Sequence, residues 1–279
     1  MMSPLDRLRQ ARTGHGVVAL TWLGQAGFAI SAGGRTALVD PFLSAHEDRL
    51  YEASLAPTSA GGVDVVLCTH EHIDHFDAET APAIAVASPG AVFVVPTPIM
   101  DQVTEAGVAA DRVLGVQPGE RHEVAGFTVE AVPACHGVTM DDAYGFGEEI
   151  SGGEVRFLGY VVDADGVRLY HAGDTILYEG MEAAVRRLDP DVALLPVNGR
   201  SAEREARGIV GNLNEDEAPR LAADIGADTL VPMHHDMIRG NLGSTAKVVE
   251  AAEQEARRVA VLVPSRDEPF VVAARRQRP

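Results

Sequence analysis

Basic residues are scarce in this chain, and that scarcity narrows what it binds. Its 279 residues hold 23 Lys and Arg against 41 Asp and Glu, a formal net charge of −18. Affinity for nucleic acid rests mainly on neutralising phosphates with a basic stripe, so nucleic acid is not expected as a main partner. The acidity reads instead as solubility. Cysteine is nearly absent, with Cys68 and Cys135 alone. A disulfide framework needs more, and both stand at the ends of apolar runs. They are expected as small buried hydrophobes in a reducing compartment. No apolar run is long enough to span a bilayer, so no membrane partner is expected. The stretch Met1–Gly16 is polar and Arg-rich and lacks the apolar centre of a signal peptide, which points to a cytoplasmic location. Linker composition is missing too. One domain over 1–279 is therefore expected, with 1–16 as an N-terminal arm or short helix.

What the chain does hold is a hydrophobic share of 46% cut into short runs. Val17–Trp22, Gly27–Ser31 and Thr36–Val39 read as strands, the last two joined by the turn Ala32-Gly33-Gly34. Val63–Cys68 is a continuous apolar run that suits a buried strand. Ala78–Ala87 and Met100–Ala106 have helical patterning, and Ala91–Val95, Arg112–Val116 and Phe127–Val132 read as strands. The second half repeats the style. Phe157–Asp163 and Val167–His171 form a hairpin, then helices over 179–188, 215–225 and 245–257 alternate with strands at 192–196, 229–231 and 259–263. Asn214 is a natural N-cap for the helix at 215. Phe270–Ala273 is the final run. Residues 42–62 read as a flap over a site or a surface loop, and 138–153 as a polar, glycine-rich insertion. Hairpins followed by alternating strand and helix, twice over, imply an α/β protein: two mixed sheets face to face with helices outside.

The chemistry concentrates in Thr69-His70-Glu71-His72-Ile73-Asp74-His75, directly after a buried strand. His70 and His72 point to the same side of extended backbone. Asp74 and His75 follow a further turn and can face a second ion. Imidazole is the commonest metal-ligating side chain and carboxylate suits harder divalent ions, so this density of donors reads as metal binding. Three more candidates, His136, Asp174 and His234, each sit just past a predicted strand. His15, His46 and His122 read as non-ligands, and His171 as a support near Asp174.

The string THEHIDH, then PACHG, HAGDT and PMHH, with LGQAGF and LVDPF before them, resembles the metallo-β-lactamase superfamily over about residues 17–265. The resemblance implies an αββα four-layer sandwich. It implies one ion on His70, His72 and His136, a second on Asp74, His75 and His234, and Asp174 between them. Asp40 resembles the acid that supports ligand histidines in that superfamily. Gln25 stands where many relatives carry His and reads as a pocket contact. Within the superfamily, ARGIVGN, the helix after it and PMHHDMIRGN are similar to the L-ascorbate-6-phosphate lactonase group.

Two ions sharing a water lower its pKa toward neutrality. The donor set then points to a dinuclear hydrolase with Zn2+ or Mn2+, and the lactonase resemblance implies a small, anionic substrate such as a sugar-acid lactone. A phosphodiesterase on the same site, or a metal-binding protein without turnover, stays open. Asp74 would orient the nucleophile, and His235 would line the pocket or donate a proton unless it is a surface histidine. Asn198, Arg200, Arg204 and Arg207 form a basic stretch suited to phosphate, or else a solvated face neutralised by Glu203 and Glu205. Asp236, Arg239 and Asn212 are further contact candidates. A homo-oligomer is compatible with the sequence.

Overall fold

The computed structural model describes residues 2–136, 154–206 and 211–275. The insertion at 138–153 and the Arg207 candidate lie outside them. Thirteen strands follow one another as β1 (Val17–Gly24), β2 (Gly27–Ala32), β3 (Arg35–Val39), β4 (Val65–Leu67), β5 (Val92–Pro96), β6 (Val113–Val116), β7 (Arg121–Val124), β8 (Phe127–Pro133), β9 (Leu158–Ala164), β10 (Val167–His171), β11 (Val192–Pro196), β12 (Thr229–Met233) and β13 (Ala260–Val261). A fourteenth, β14 (Pro269–Ala273), returns to pair antiparallel with β1. Among the described residues these make two seven-stranded sheets, ordered β14-β1-β2-β3-β4-β5-β6 and β13-β12-β11-β10-β9-β8-β7.

The two sheets share one plan. In the first, three antiparallel pairings from β14 to β3 give way to three parallel ones from β3 to β6. In the second, β7 to β10 are antiparallel and β10 to β13 parallel. The chain thus builds the same mixed sheet twice without a strict sequence repeat. Their facing sides form one apolar layer, including Leu20, Phe28, Val39, Leu67, Phe127, Tyr160, Leu169 and Met233. Strands covered on both faces read as unbroken apolar runs, which is why Val65–Leu67 and Val192–Pro196 show no alternation.

Helices cover the outer faces. α1 (Pro4–Gln10) and α2 (Thr80–Ala87) bury Leu5, Leu8 and Ile84 against the first sheet, with α3 (Met100–Glu105) beside them. α4 (Met181–Arg186), α6 (Glu217–Asp224) and α7 (Thr245–Glu255) cover the second, and the short α5 (Ala202–Glu205) lies before α6. Burying one apolar side chain of this size contributes about 1.5–3 kcal/mol, so both outer layers matter to stability. Among the described residues no helix is long and apolar enough to cross a membrane. Both cysteines are free and buried.

Several local expectations need correction. β7 and α5 were not read from the sequence. β7 is a mostly polar edge strand, and α5 is one turn of charged residues. The helix expected from 215 starts at Glu217 with Asp216 as cap. Asn214 does not cap it by side chain, because its Oδ1 accepts from the Arg200 backbone N–H at 3.1 Å. The helix expected from 179 starts at Met181, after Gly180 in left-handed backbone. Residues 42–62 are neither a bare flap nor a plain surface loop. Phe42, Leu43 and Leu55 are buried, and the Arg49 guanidinium donates to the carbonyls of Phe42, Ser44 and Tyr51.

Candidate metal centre

The side chains of interest sit just beyond the carboxyl ends of four strands, β4, β10 and β12 from the parallel parts of the sheets and β8 from an antiparallel part. The β4 strand releases Thr69–His75, β8 leads to His136, β10 to Asp174 and β12 to His234. Loops outside the carboxyl ends of parallel strands are where such sheets leave room for ligands. The structure brings three donor groups together, each with ligand atoms within 4.8 Å of one another: His70, His72 and His136; Asp74, His75 and His234; and His70, His75 and Asp174.

Asp174 lies between the other two groups. Its Oδ1 is 3.3 Å from Nε2 of both His75 and His234, and its Oδ2 is 3.4 Å from Nε2 of His136. Gly173 makes this placement possible. It adopts φ 61°, and a Cβ there would stand 2.7 Å from the Leu158 carbonyl oxygen and 2.9 Å from Thr69 Cβ. His171 supports the same turn, with Nε2 at the Ala26 carbonyl and Nδ1 accepting from the Gly173 N–H.

The outer nitrogens of the histidines are held by the protein. Asp40, fully buried, takes Nδ1 of His75 at 2.7 Å and the Thr69 hydroxyl and N–H at 2.8 Å each. With its proton given to Asp40, Thr69 Oγ1 accepts from Nδ1 of His70 at 3.1 Å. Nδ1 of His136 lies 3.1 Å from the Gly211 carbonyl oxygen. In each case Nε2 is the nitrogen turned inward. Holding one ring nitrogen in this way fixes the tautomer that leaves the other as a ligand.

The donor set fits divalent ions. Nε2 of His75 and Oδ1 of Asp174 are buried without a hydrogen-bond partner, and buried polar atoms in that condition call for a ligand. Nε2 of His70 and Nδ1 of His72 face each other at 3.0 Å. Burial pushes His70, His72 and His136 toward the neutral, ligating form, His136 to about 4. Burial also opposes charge on His75 and His234, but the surrounding aspartates outweigh it and hold both above the ordinary range. Asp74 and Asp174 are likewise penalised by burial, yet the nearby histidines hold both ionised.

Other expected residues fall differently. His235 packs its ring 4.8 Å from Trp22, its Nε2 is buried without a hydrogen-bond partner, and burial lowers its pKa. It is not in any of the three donor groups. Arg200 does not offer a free fork to an anion: Glu217 occupies it at 2.5 and 2.6 Å. Arg204 reaches Asn241, which also accepts from Asn198, and Asn198 in turn accepts from Asn212. This amide chain begins one residue from Gly211. Asp236 is taken by the Tyr51 hydroxyl at 2.7 Å and by Arg266. Arg239 is exposed, with its backbone N–H on Asp48.

Two residues of the loop after β4 have roles that the sequence pattern does not assign. Thr69 links Asp40 to two histidines, and Glu71 pairs with Arg156 instead of joining the donors. Gln25, read from the sequence as a pocket contact, donates its side-chain amide to Asp74 Oδ2 at 2.7 Å.

The family model described as a beta-lactamase superfamily domain matches residues 35–235. A UPF0173 metal-dependent hydrolase of Methanoculleus marisnigri is 33% identical over 248 residues, which is 88% of this chain and 93% of its own. Another from Pyrococcus furiosus is 33% identical over 239 residues, covering 84% and 96%. Among solved structures, Igni18, a metallo hydrolase from Ignicoccus hospitalis, superposes with TM-score 0.67 at 23% identity, covering 92% of this chain and 98% of its own. An isothiocyanate hydrolase from Delia radicum gut bacteria gives TM-score 0.71 at 20% identity, covering 92% and 99%.

Proposed function

This chain belongs to the UPF0173 metal-dependent hydrolases of the beta-lactamase superfamily, and on that premise we propose that it uses two divalent ions, Zn2+ or Mn2+, to hydrolyse a small cyclic ester, a sugar-acid lactone. The observation that carries the reading is the convergence of seven donors from four strand ends on one buried point. When bound, a pair of divalent ions supplies Lewis acidity and a water of lowered pKa. The remaining chemistry falls to the chain. Asp174 presents one carboxylate oxygen to each donor group, which suits it to be shared. Asp74, kept ionised, accepts a hydrogen bond from the attacking water and orients it. The buried ring of His235, neutral at pH 7, has an unpartnered Nε2 suited to a hydrogen bond with the substrate rather than to full proton transfer.

The lactone is supported by the likeness of residues 232–241 to the lactonase group, not by a phosphate fork at Arg200. Elemental analysis of purified protein, paired with turnover on sugar lactones and on bis-p-nitrophenyl phosphate, tests both parts. Two ions per chain and faster turnover of lactones are expected. Protein without bound ions would sink the metal reading. Turnover of the diester alone would replace the lactonase by a phosphodiesterase.

A further inference from the structure

We propose that Gln25 is a positioning residue that sets the second donor group, Asp74, His75 and His234, by holding the Asp74 carboxylate through its side-chain amide. The inference rests on the two-ion reading above and assigns a role to a residue outside the seven donors.

Gln25 sits in the turn between β1 and β2, fully buried, with φ 52°. Left-handed backbone costs a non-glycine residue about 1–2 kcal/mol, so the surroundings must hold it there. Two bonds do so. Its carbonyl oxygen accepts from Trp22 Nε1 at 3.0 Å and from the backbone N–H of His234 at 2.8 Å. Those backbone bonds would serve a glycine equally well. The side chain does something separate: Nε2 donates to Asp74 Oδ2 at 2.7 Å and stands 3.0 Å from Nε2 of His234.

Gln25 therefore touches the two members of this group that arrive from opposite halves of the chain. The third member, His75, is already held by Asp40. A carboxylate turns freely about its last bond unless one oxygen is bound. His234 Nε2 also stands 3.1 Å from this oxygen, but that nitrogen would itself turn to an ion, so the Gln25 amide is the donor that stays on Oδ2 and keeps the carboxylate plane fixed, as outer partners of metal ligands do. An amide suits this place because it donates without adding positive charge beside a cation and does not titrate. The Gln25 Oε1 is buried with no hydrogen-bond partner, so the amide is oriented by what Nε2 binds.

The test is stepwise Zn2+ titration of metal-free protein against a chromophoric chelator, repeated with Co2+ to read the visible spectrum of each equivalent. Wild type is compared with Gln25→Gly, which keeps the backbone bonds and accepts the left-handed conformation, and with Gln25→Met, which keeps the bulk. Both variants are expected to bind the first ion as wild type does and the second about tenfold or more weakly. The Co2+ spectrum of the second equivalent alone should change, with the melting temperature of the metal-free protein preserved. Unchanged affinity for both ions would reduce Gln25 to a space-filler. An equal loss at both steps, together with a lower melting temperature, would make its role structural. If wild type takes up only one ion, the two-ion reading itself fails, and Gln25 has no second group to set.

Discussion

Three side chains at the centre share an unusual backbone. Gln25, Asp40 and His234 have φ of 52°, 44° and 58°. Each costs about 1–2 kcal/mol relative to ordinary backbone, and each turns its side chain inward immediately beyond a strand. Asp40 is the clearest case, since it fixes both Thr69 and His75. Asp40→Asn keeps the shape but removes the charge that holds the His75 tautomer. Metal affinity, read by chelator competition, should fall about 10–100-fold with little change in fold. Unaltered affinity would remove Asp40 from the support of the site. Gly173→Ala drives a Cβ into the Leu158 carbonyl and strains the turn before Asp174. A stability loss of about 2 kcal/mol in urea unfolding is expected. The donor residues were legible in the sequence because they cluster or follow apolar runs. Gln25 was legible only as a pocket contact, because its bond to Asp74 spans 49 positions and follows no spacing rule. Arg200 left two readings open for the same reason, since its partner Glu217 lies 17 positions away and folding delivers it.

At the level of elements, the loop from β4 to α2 depends on Asp77, buried and not a donor. Its carboxylate accepts from the N–H groups of Leu43, Ser44, Glu79 and Thr80 and from the Thr80 hydroxyl. It ends the histidine-rich loop, starts the helix and ties down residues 43–44. Burial raises its pKa, but the Thr80 hydroxyl and the Ser44 N–H outweigh that and hold it below the ordinary carboxylate range. A depressed folded-state pKa contributes stability that is complete above the unfolded value, about 3.9, and is lost as pH falls through the folded one. Metal-free wild type should therefore lose stability in acid more steeply than Asp77→Asn, and urea midpoints from pH 6 to pH 2 would show it. Parallel curves would assign the acid response elsewhere. The Arg200–Glu217 pair ties the loop after β11 to the start of α6. Arg200→Ala should destabilise by about 1–3 kcal/mol, since it leaves the half-buried Glu217 carboxylate with only the Asn214 N–H as partner, while KM for an anionic substrate stays unchanged. A selective rise in that KM would restore an anion-binding role. Most elements were legible from apolar runs and turns. β7 and α5 were not, because neither carries an apolar periodicity.

Across the whole molecule, four of the seven donors come from the first sheet's loop and three from the second sheet. Bound ions would therefore fasten one half of the sandwich to the other. Removing them with a chelator should lower the melting temperature and re-addition should restore it. At an ion concentration of 100 times the dissociation constant the effect is about 2.7 kcal/mol per site. Melting indifferent to the chelator would mean that the halves hold together without ions. The two mixed sheets followed from the repeated hairpin-then-alternation pattern. The pairing of the final run with the first strand did not, since no local signal links positions so far apart.

That closure has a bearing on how the protein comes into being. β14 pairs Val17 with Ala273, so the edge of the first sheet is finished by a segment made some 250 residues after the strand it covers. A ribosome adding about 5–20 residues per second leaves β1 waiting for on the order of ten seconds or more. Throughout that interval Val17–Thr21 presents unsatisfied backbone groups along an open border, the kind of template on which nascent chains stick to one another. Slow translation, or loss of the last strand, would thus show first as aggregates in the cell rather than as a weakened enzyme.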